Sequence, residues 1–240
     1  RHPSFSATLL GLLRSQTIIK RFDELLKQLN EQREFYQVVI SVLVLSVLNY
    51  PTSIDKLIDI WGDIIQSPKF KKDPVISQII EFERGEVILR SSTLARYLLK
   101  LVVDGKIVVD TLIHMRRVSE EKIKSSDYFK TLAKNLVRFH NLYNLLPENN
   151  KKNSVLHYYE SIKNLPSSKE HPLFWLQYGV ACLVLKEFDR TEKYLSTAYS
   201  YARLTPNFDV MQIDNHYARF LLEKSIENPN DANYMTSFRK

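Results

Sequence analysis

Five glycines in 240 residues is the tightest limit this sequence sets on its own fold. Globular chains average about 7% glycine, and tight hairpins and barrel corners draw on the left-handed backbone that glycine adopts without strain. A chain so poor in glycine points to helices joined by polar breaks, and away from a sandwich or barrel. The apolar periodicity agrees. Over Gln16 to Leu29, the residues Ile18, Phe22, Leu25 and Leu29 share one helical stripe, with Ile19 and Leu26 beside it. Phe129, Leu132, Leu136, Phe139, Tyr143 and Leu146 recur at 3-4-3-4-3 spacing and predict one regular amphipathic helix. The segment Phe35 to Asn49 is apolar on all sides and rich in β-branched residues. Its fifteen residues are long for a strand, so it reads as a buried central helix ended by Pro51.

One region departs from the helical pattern. Thr52 or Ser53 is placed to cap a short helix, SIDKLIDIWG, which Gly62 stops. SPKFKKDP follows as a basic loop, and PVISQIIEF reads as a third short helix with proline at its first turn. Glu81 to Arg84 and Glu86 to Arg90, on either side of Gly85, then predict a two-stranded ribbon. Ser91 or Ser92 caps a following helix with Leu94, Ala95, Leu98 and Leu99 on its inner face. Three helices and a ribbon is the order of a winged helix-turn-helix unit.

Asp104-Gly105 marks a turn, ENNKKNS a polar break, and SVLHYYESIKNL a short helix closed by Pro166 and a further break, SSKEHP. From His171 the chain reads HPLFWLQYGVACLVLKEFDRTEKYLSTAYSYARLTP, which resembles a tetratricopeptide (TPR) repeat. Trp175 takes the repeat's tryptophan, Gly179 the small position, Phe188 the inter-helix turn and Ala198 the helix B alanine; Thr191 replaces a second alanine and Pro206 comes late. DVMQIDNHYARFLLEKSI and DANYMTSF would be the next, degenerate repeat. The expected fold class is therefore mainly α: a winged helix-turn-helix with a small β-ribbon, followed by TPR-like α-helical hairpins.

The net charge of +7 raises nucleic acid as a partner, but the basic excess is spread evenly along the chain and gives no focused footprint. The surface best placed to read DNA offers Ser77 and Gln78, flanked by Glu81, Glu83 and Glu86, with Lys69, Lys71 and Lys72 only in the preceding loop. Phosphates would be repelled as much as attracted, and packing is the better use of such a unit. The single cysteine, Cys182, lies in the apolar run VACLVL and reads as a small buried hydrophobe in a reducing, cytoplasmic protein. The most apolar run, VVISVLVLSVL, is eleven residues, short of the ~20 that span a bilayer.

No phosphate-binding loop, dinucleotide fingerprint, zincin or nucleophile-elbow motif occurs in the sequence. The histidines at 2, 114, 140, 157, 171 and 216 have no metal-ligand spacing. Asp214 and His216 lie two residues apart and so on different helix faces, leaving Asn215 and Arg219 as the natural i,i+4 neighbours within IDNHYAR and a structural contact between helices as that segment's role. No catalytic residue and no metal ligand is expected. Leu173, Leu176, Val180 and Leu183 form an apolar face for packing or for a partner.

A winged helix feeding a helical-repeat array resembles the C-terminal half of the STAND-class P-loop NTPases, signal-sensing ATPases that include bacterial anti-phage sensors. The resemblance lies in ILRSSTLARYLL, in HPLFWLQYGVACLVLKEF and in IDNHYARFLLE; Arg1-His2-Pro3 is similar to the end of the family's Gly-x-Pro motif, with SFSATLLGLLRSQ as the first lid helix. It implies a helical lid segment over 1–31, a winged-helix domain over 32–104, a helical connector over 105–166 and a TPR-like repeat over 167–240. It further implies nucleotide-facing roles for Pro3, Arg90 and Ser91 in an intact parent, although Ser91 stands where many members carry a phosphate-contacting histidine, and Arg1 where they carry glycine. ATP or ADP with Mg would belong to an upstream core carrying the Walker motifs. The chain, which opens on Arg1 rather than Met, would be a non-catalytic fragment of it. Its implied partners are the upstream NTPase and effector domains, a protein ligand such as a phage protein, and further copies of itself. A winged-helix transcriptional regulator with a TPR partner-binding domain is the alternative.

Overall fold

The structure, a computed structural model, describes residues 16–89, 92–101 and 103–227. The first two helices, α1 (Gln16–Asn30) and α2 (Arg33–Val47), follow the periodicity closely. Leu26 and Leu29 are buried on α1, and ten of the fifteen residues of α2 are buried. α2 ends earlier than Pro51 requires. Asn49 takes a left-handed backbone (φ 57°), its N–H donates to Ser46 O and that of Tyr50 to Leu45 O, which closes the helix in a Schellman motif. The stop signal is an asparagine where glycine is usual.

The next helix, α3 (Ile54–Trp61), runs between Ser53 and Gly62 as expected, but neither expected cap forms: Ser53 makes no side-chain capping hydrogen bond, Thr52 donates to Val87 O, and the chain continues past Gly62 as a 3-10 turn, Gly62–Gln66. SPKFKKDP is not a plain loop. Ser67 Oγ accepts from Phe70 N–H and caps a single turn, α4 (Pro68–Lys71), which buries Phe70. PVISQIIEF is also overturned as one helix: Asp73 caps a single turn, α5 (Ile76–Ile79), and the chain becomes strand at Ile80. β1 (Ile80–Glu83) pairs antiparallel with β2 (Glu86–Leu89), joined through Arg84 and Gly85, both at positive φ (49° and 84°). Two left-handed residues in succession make the primed turn whose twist matches the ribbon. Val87 is buried and Leu89 half-buried against the core, while Ser53 bridges antiparallel to Glu86 and Thr52 accepts from Val87 N–H and donates its hydroxyl to Val87 O.

α6 (Ser92–Leu101) buries Ala95, Leu98 and Leu99 against α2. Asp104-Gly105 is a helix start rather than a turn: Asp104 caps α7 (Gly105–Lys122) by accepting from Lys106 N–H. α7 packs on α2 and α3 and is tied to them by Arg33–Asp110 and Lys122–Asp59 ion pairs. His114 lies against the Trp61 ring, centroids 4.3 Å apart.

The helix expected from Phe129 to Leu146 is two helices, α8 (Asp127–Val137) and α9 (Phe139–Leu145), broken at Arg138 with extended backbone (ψ 120°). The apolar spacing is unchanged through the break, so periodicity does not reveal it. Tertiary partners satisfy the backbone groups it frees. Gln177 Oε1 accepts from Phe139 N–H, and the buried hydroxyls of Tyr158 and Tyr159 donate to the carbonyls of Leu136 and Val137. Those tyrosines lie on α10 (Lys151–Ile162). Pro166 opens rather than follows structure: it is the first residue of a one-turn helix, α11 (Pro166–Lys169), inside the expected break.

α12 (Pro172–Val184) and α13 (Phe188–Ala202) form a closely packed hairpin. A Cβ on Gly179 would lie 2.8 Å from Leu195 Cδ2 and 3.3 Å from the Leu195 nitrogen, so glycine lets the two helices cross this closely without displacing Leu195. Thr191 and Ala198 are fully buried on the facing side of α13, and Leu176, Val180 and Leu183 are buried on α12. α14 (Met211–Glu227) closes the described chain against α13. Arg219 pairs with Glu223 and not with Asn215, while Asp214 accepts a hydrogen bond at 2.5 Å from Tyr199 of α13. The buried side chains from Leu26 to Phe220 make one continuous core. No helix among the described residues is long and apolar enough to cross a membrane.

Candidate ligand-binding cleft

Pro3, Arg90 and Ser91, the nucleotide-facing candidates, lie outside the described residues, as does most of the expected lid helix. The concave surface the fold builds is elsewhere. A cleft of about 650 Å3 opens between α8 and the α11–α12 segment, with residues 208–212 as its third wall. The break after α8 shapes it, because Val137, Arg138 and His140 around that break all line it.

Its floor is apolar. Ala133 and Val137 of α8 and Phe174 of α12 are 3%, 6% and 1% exposed. Above them Lys130, Lys134 and Arg138 stand at i, i+4 and i+8, on one face of the helix and its C-cap. All three are exposed, and none has an ion pair or a side-chain hydrogen bond among the described residues.

Arg116 reaches the cleft from α7 and is 1% exposed. Its guanidinium donates to Glu120 at 2.7 Å, to Ser167 Oγ at 2.5 Å and to Ser168 Oγ at 3.2 Å, while Nε has no partner. Glu120 also accepts from the Ser167 backbone N–H and hydroxyl. Burial alone would raise the Glu120 carboxyl, but the hydrogen bonds from Ser167 and Arg116 together hold it below the ordinary carboxylate range. A carboxylate held ionised in this way is a weak base, so the cluster clamps α7 to α11 rather than activating the Ser167 hydroxyl.

His171 caps α12, its Nδ1 accepting from Leu173 N–H, and burial followed by the nearby Lys134 charge lowers its pKa. It is therefore neutral at pH 7, with the proton on Nε2. Asp209 is the acidic residue on the lining, and its Oδ1 is engaged by Met211 N–H. The cleft thus combines an apolar floor with a positive wall, an arrangement suited to binding a partly apolar anion.

A larger cleft, about 760 Å3, lies at the start of α7, but Lys100, Asp104, Lys106 and Glu148 alternate in sign along it and focus no charge. Among the described residues no group of three or more His, Cys, Asp or Glu is placed to hold a metal ion. Cys182 is buried, and desolvation pushes its thiol up to about 12.

No protein-family model, no curated protein and no solved structure matches this chain. Sequence reasoning missed the cleft's cations, although a signal was present: Lys130, Lys134 and Arg138 recur at i, i+4 and i+8 opposite the apolar stripe of the same helix. Arg116 carries no such mark, because only the packing of α11 on α7 buries it.

Proposed function

We propose that the chain is a non-catalytic interaction and sensing module, a winged-helix unit used for packing followed by TPR-like hairpins, as in the C-terminal half of a STAND-class signalling NTPase of the anti-phage type. The observation that carries the reading is the state of the would-be recognition helix. α5 is a single turn that buries Ile76 and Ile79, and its Gln78 accepts from Arg21 at 3.0 Å and donates to Pro74 O. Lys71 lies over the Phe82 ring, 5.6 Å from its centroid. A helix of one turn with its polar groups engaged has little to present to base edges. In support of the hairpin assignment, Gly179, Thr191 and Ala198 occupy the close-packed positions that a TPR assigns to small residues.

In this reading an upstream core, bound to ATP or ADP with Mg, does the hydrolysis. The chain holds that core in its resting state, and the helical hairpins sense a protein ligand or join copies together in the cytoplasm. The decisive test is the coding sequence upstream of Arg1. A Walker A and B pair is expected there, and an extended protein should bind ATP where the 240-residue chain alone does not; an upstream region without the pair overturns the assignment. Exposed Lys69 and Lys72 favour the alternative of a DNA-binding regulator. Salt-sensitive submicromolar binding to duplex DNA, abolished by K69E/K72E, would select that reading instead.

A further inference from the structure

We propose that the cleft between α8 and α12 is a docking site for an extended, acidic segment of a separate partner protein, in which acidic and apolar residues alternate. The inference stands on the cleft itself and does not require an NTPase core upstream of the chain.

Spacing and charge carry it. Lys130, Lys134 and Arg138 are four residues apart, so they repeat about every 6 Å along the helix axis. An extended chain repeats a side chain on one face about every 6.6 Å. Three acidic residues at alternate positions of one strand can therefore face the three cations in register, whereas a single phosphate or carboxylate can meet only one or two of them. The intervening residues point the opposite way, toward Leu173 and Phe174 on the facing α12 wall, while Ala133 and Val137 floor the cleft beside the cations. The cations are uncommitted: no carboxylate among the described residues pairs with them.

The negative groups nearby do not cancel this field. Glu120 is neutralised by Arg116, and Asp209 is the lone acidic side chain on the cleft lining, opposite three positive ones. Arg116 contributes to the lining, but its guanidinium is buried and donates to Glu120, Ser167 and Ser168, so the charge a ligand meets is that of Lys130, Lys134 and Arg138. His171, neutral and protonated on Nε2, adds a donor that does not depend on charge. The cleft's volume, about 650 Å3, is enough for a short peptide core but not for a folded domain.

The test is fluorescence anisotropy with the full 240-residue chain and dye-labelled pentapeptides. Glu-Leu-Glu-Leu-Glu is expected to bind, Glu-Glu-Glu-Leu-Leu of identical composition at least fivefold more weakly, and Lys-Leu-Lys-Leu-Lys not at all. K130E/K134E, both at exposed positions, should weaken the alternating peptide tenfold or more, and K69E/K72E should leave it within twofold. R138Q gives a milder, independent reading, with an expected loss of about threefold. Raising NaCl from 50 to 300 mM should weaken binding severalfold. Equal affinity for the two glutamate–leucine peptides, equal losses in the K130E/K134E and K69E/K72E variants, or displacement of the peptide by equimolar ATP or inorganic phosphate would each overturn the proposal. A concentration-dependent dimer abolished by K130E/K134E would likewise assign the cleft to a second copy. None of these outcomes bears on whether Walker motifs precede the chain, so this proposal and the NTPase assignment can fail separately.

Discussion

Three residues show how single side chains set the behaviour of this protein. Glu120 is the carboxylate of a buried pair, with Arg116 at 1% and Glu120 at 13% side-chain exposure. Removing it leaves a buried guanidinium without its counter-charge, so Glu120→Ala should cost about 3–5 kcal/mol in a denaturant titration. The pH dependence follows from its lowered pKa. Its contribution is complete above the unfolded carboxylate value and is lost as pH falls from there through the lower folded one, so the stability gap between wild type and variant should start to narrow at the ordinary carboxylate pKa and keep narrowing below it. Gly179 is held to glycine by Leu195. Alanine there gains about 1 kcal/mol of helix propensity but overpacks the crossing by about 1–3 kcal/mol, and a net loss of about 1 kcal/mol, with a lowered midpoint and unchanged slope, is expected. Cys182 is buried and its thiol pushed up to about 12. Iodoacetamide at pH 8 should leave it unmodified in the native protein and modify it fully in guanidinium.

At the scale of elements, breaks decide more than periods. The 3-4-3-4-3 spacing from Phe129 to Leu146 was readable, and every one of those six positions is buried or half-buried. The division into α8 and α9 was not readable, because an apolar stripe is the same whether or not the backbone turns aside for one residue. What holds the break is remote in sequence: Tyr158, Tyr159 and Gln177 supply the partners that Leu136, Val137 and Phe139 lose. Tyr159→Phe should therefore leave a buried carbonyl unsatisfied and cost about 1–3 kcal/mol. Gln177→Leu should speed amide exchange at Phe139 ahead of its helical neighbours, as two-dimensional NMR would record. The helix ends teach the same lesson. Asn49 and Lys186 both take left-handed backbone in Schellman caps, with Glu187 N–H returning to Cys182 O at the second, so a search for glycine misses both stops. The turn between β1 and β2 was legible because Gly85 marks it.

Across the whole molecule, the core is continuous from Leu26 to Phe220, and the two tryptophans sit in different parts of it. Trp61 donates to Ser41 and Trp175 to Lys169 O. If that core unfolds as a unit, fluorescence of W61F and of W175F should report the same midpoint as far-UV circular dichroism; two separated transitions would instead support independent domains with boundaries near residues 104 and 166. The sequence by itself determined the helical class, the buried α2, the ribbon about Gly85 and the close crossing at Gly179. Each rests on local spacing or on one residue's steric demands. Tertiary structure alone decided where α8 ends, which arginine is buried, and that three lysine and arginine side chains stand over an apolar floor. Those features depend on groups forty or fifty residues apart meeting in space, as Arg116 meets Ser167 and Phe139 meets Gln177, and no local pattern encodes such a meeting.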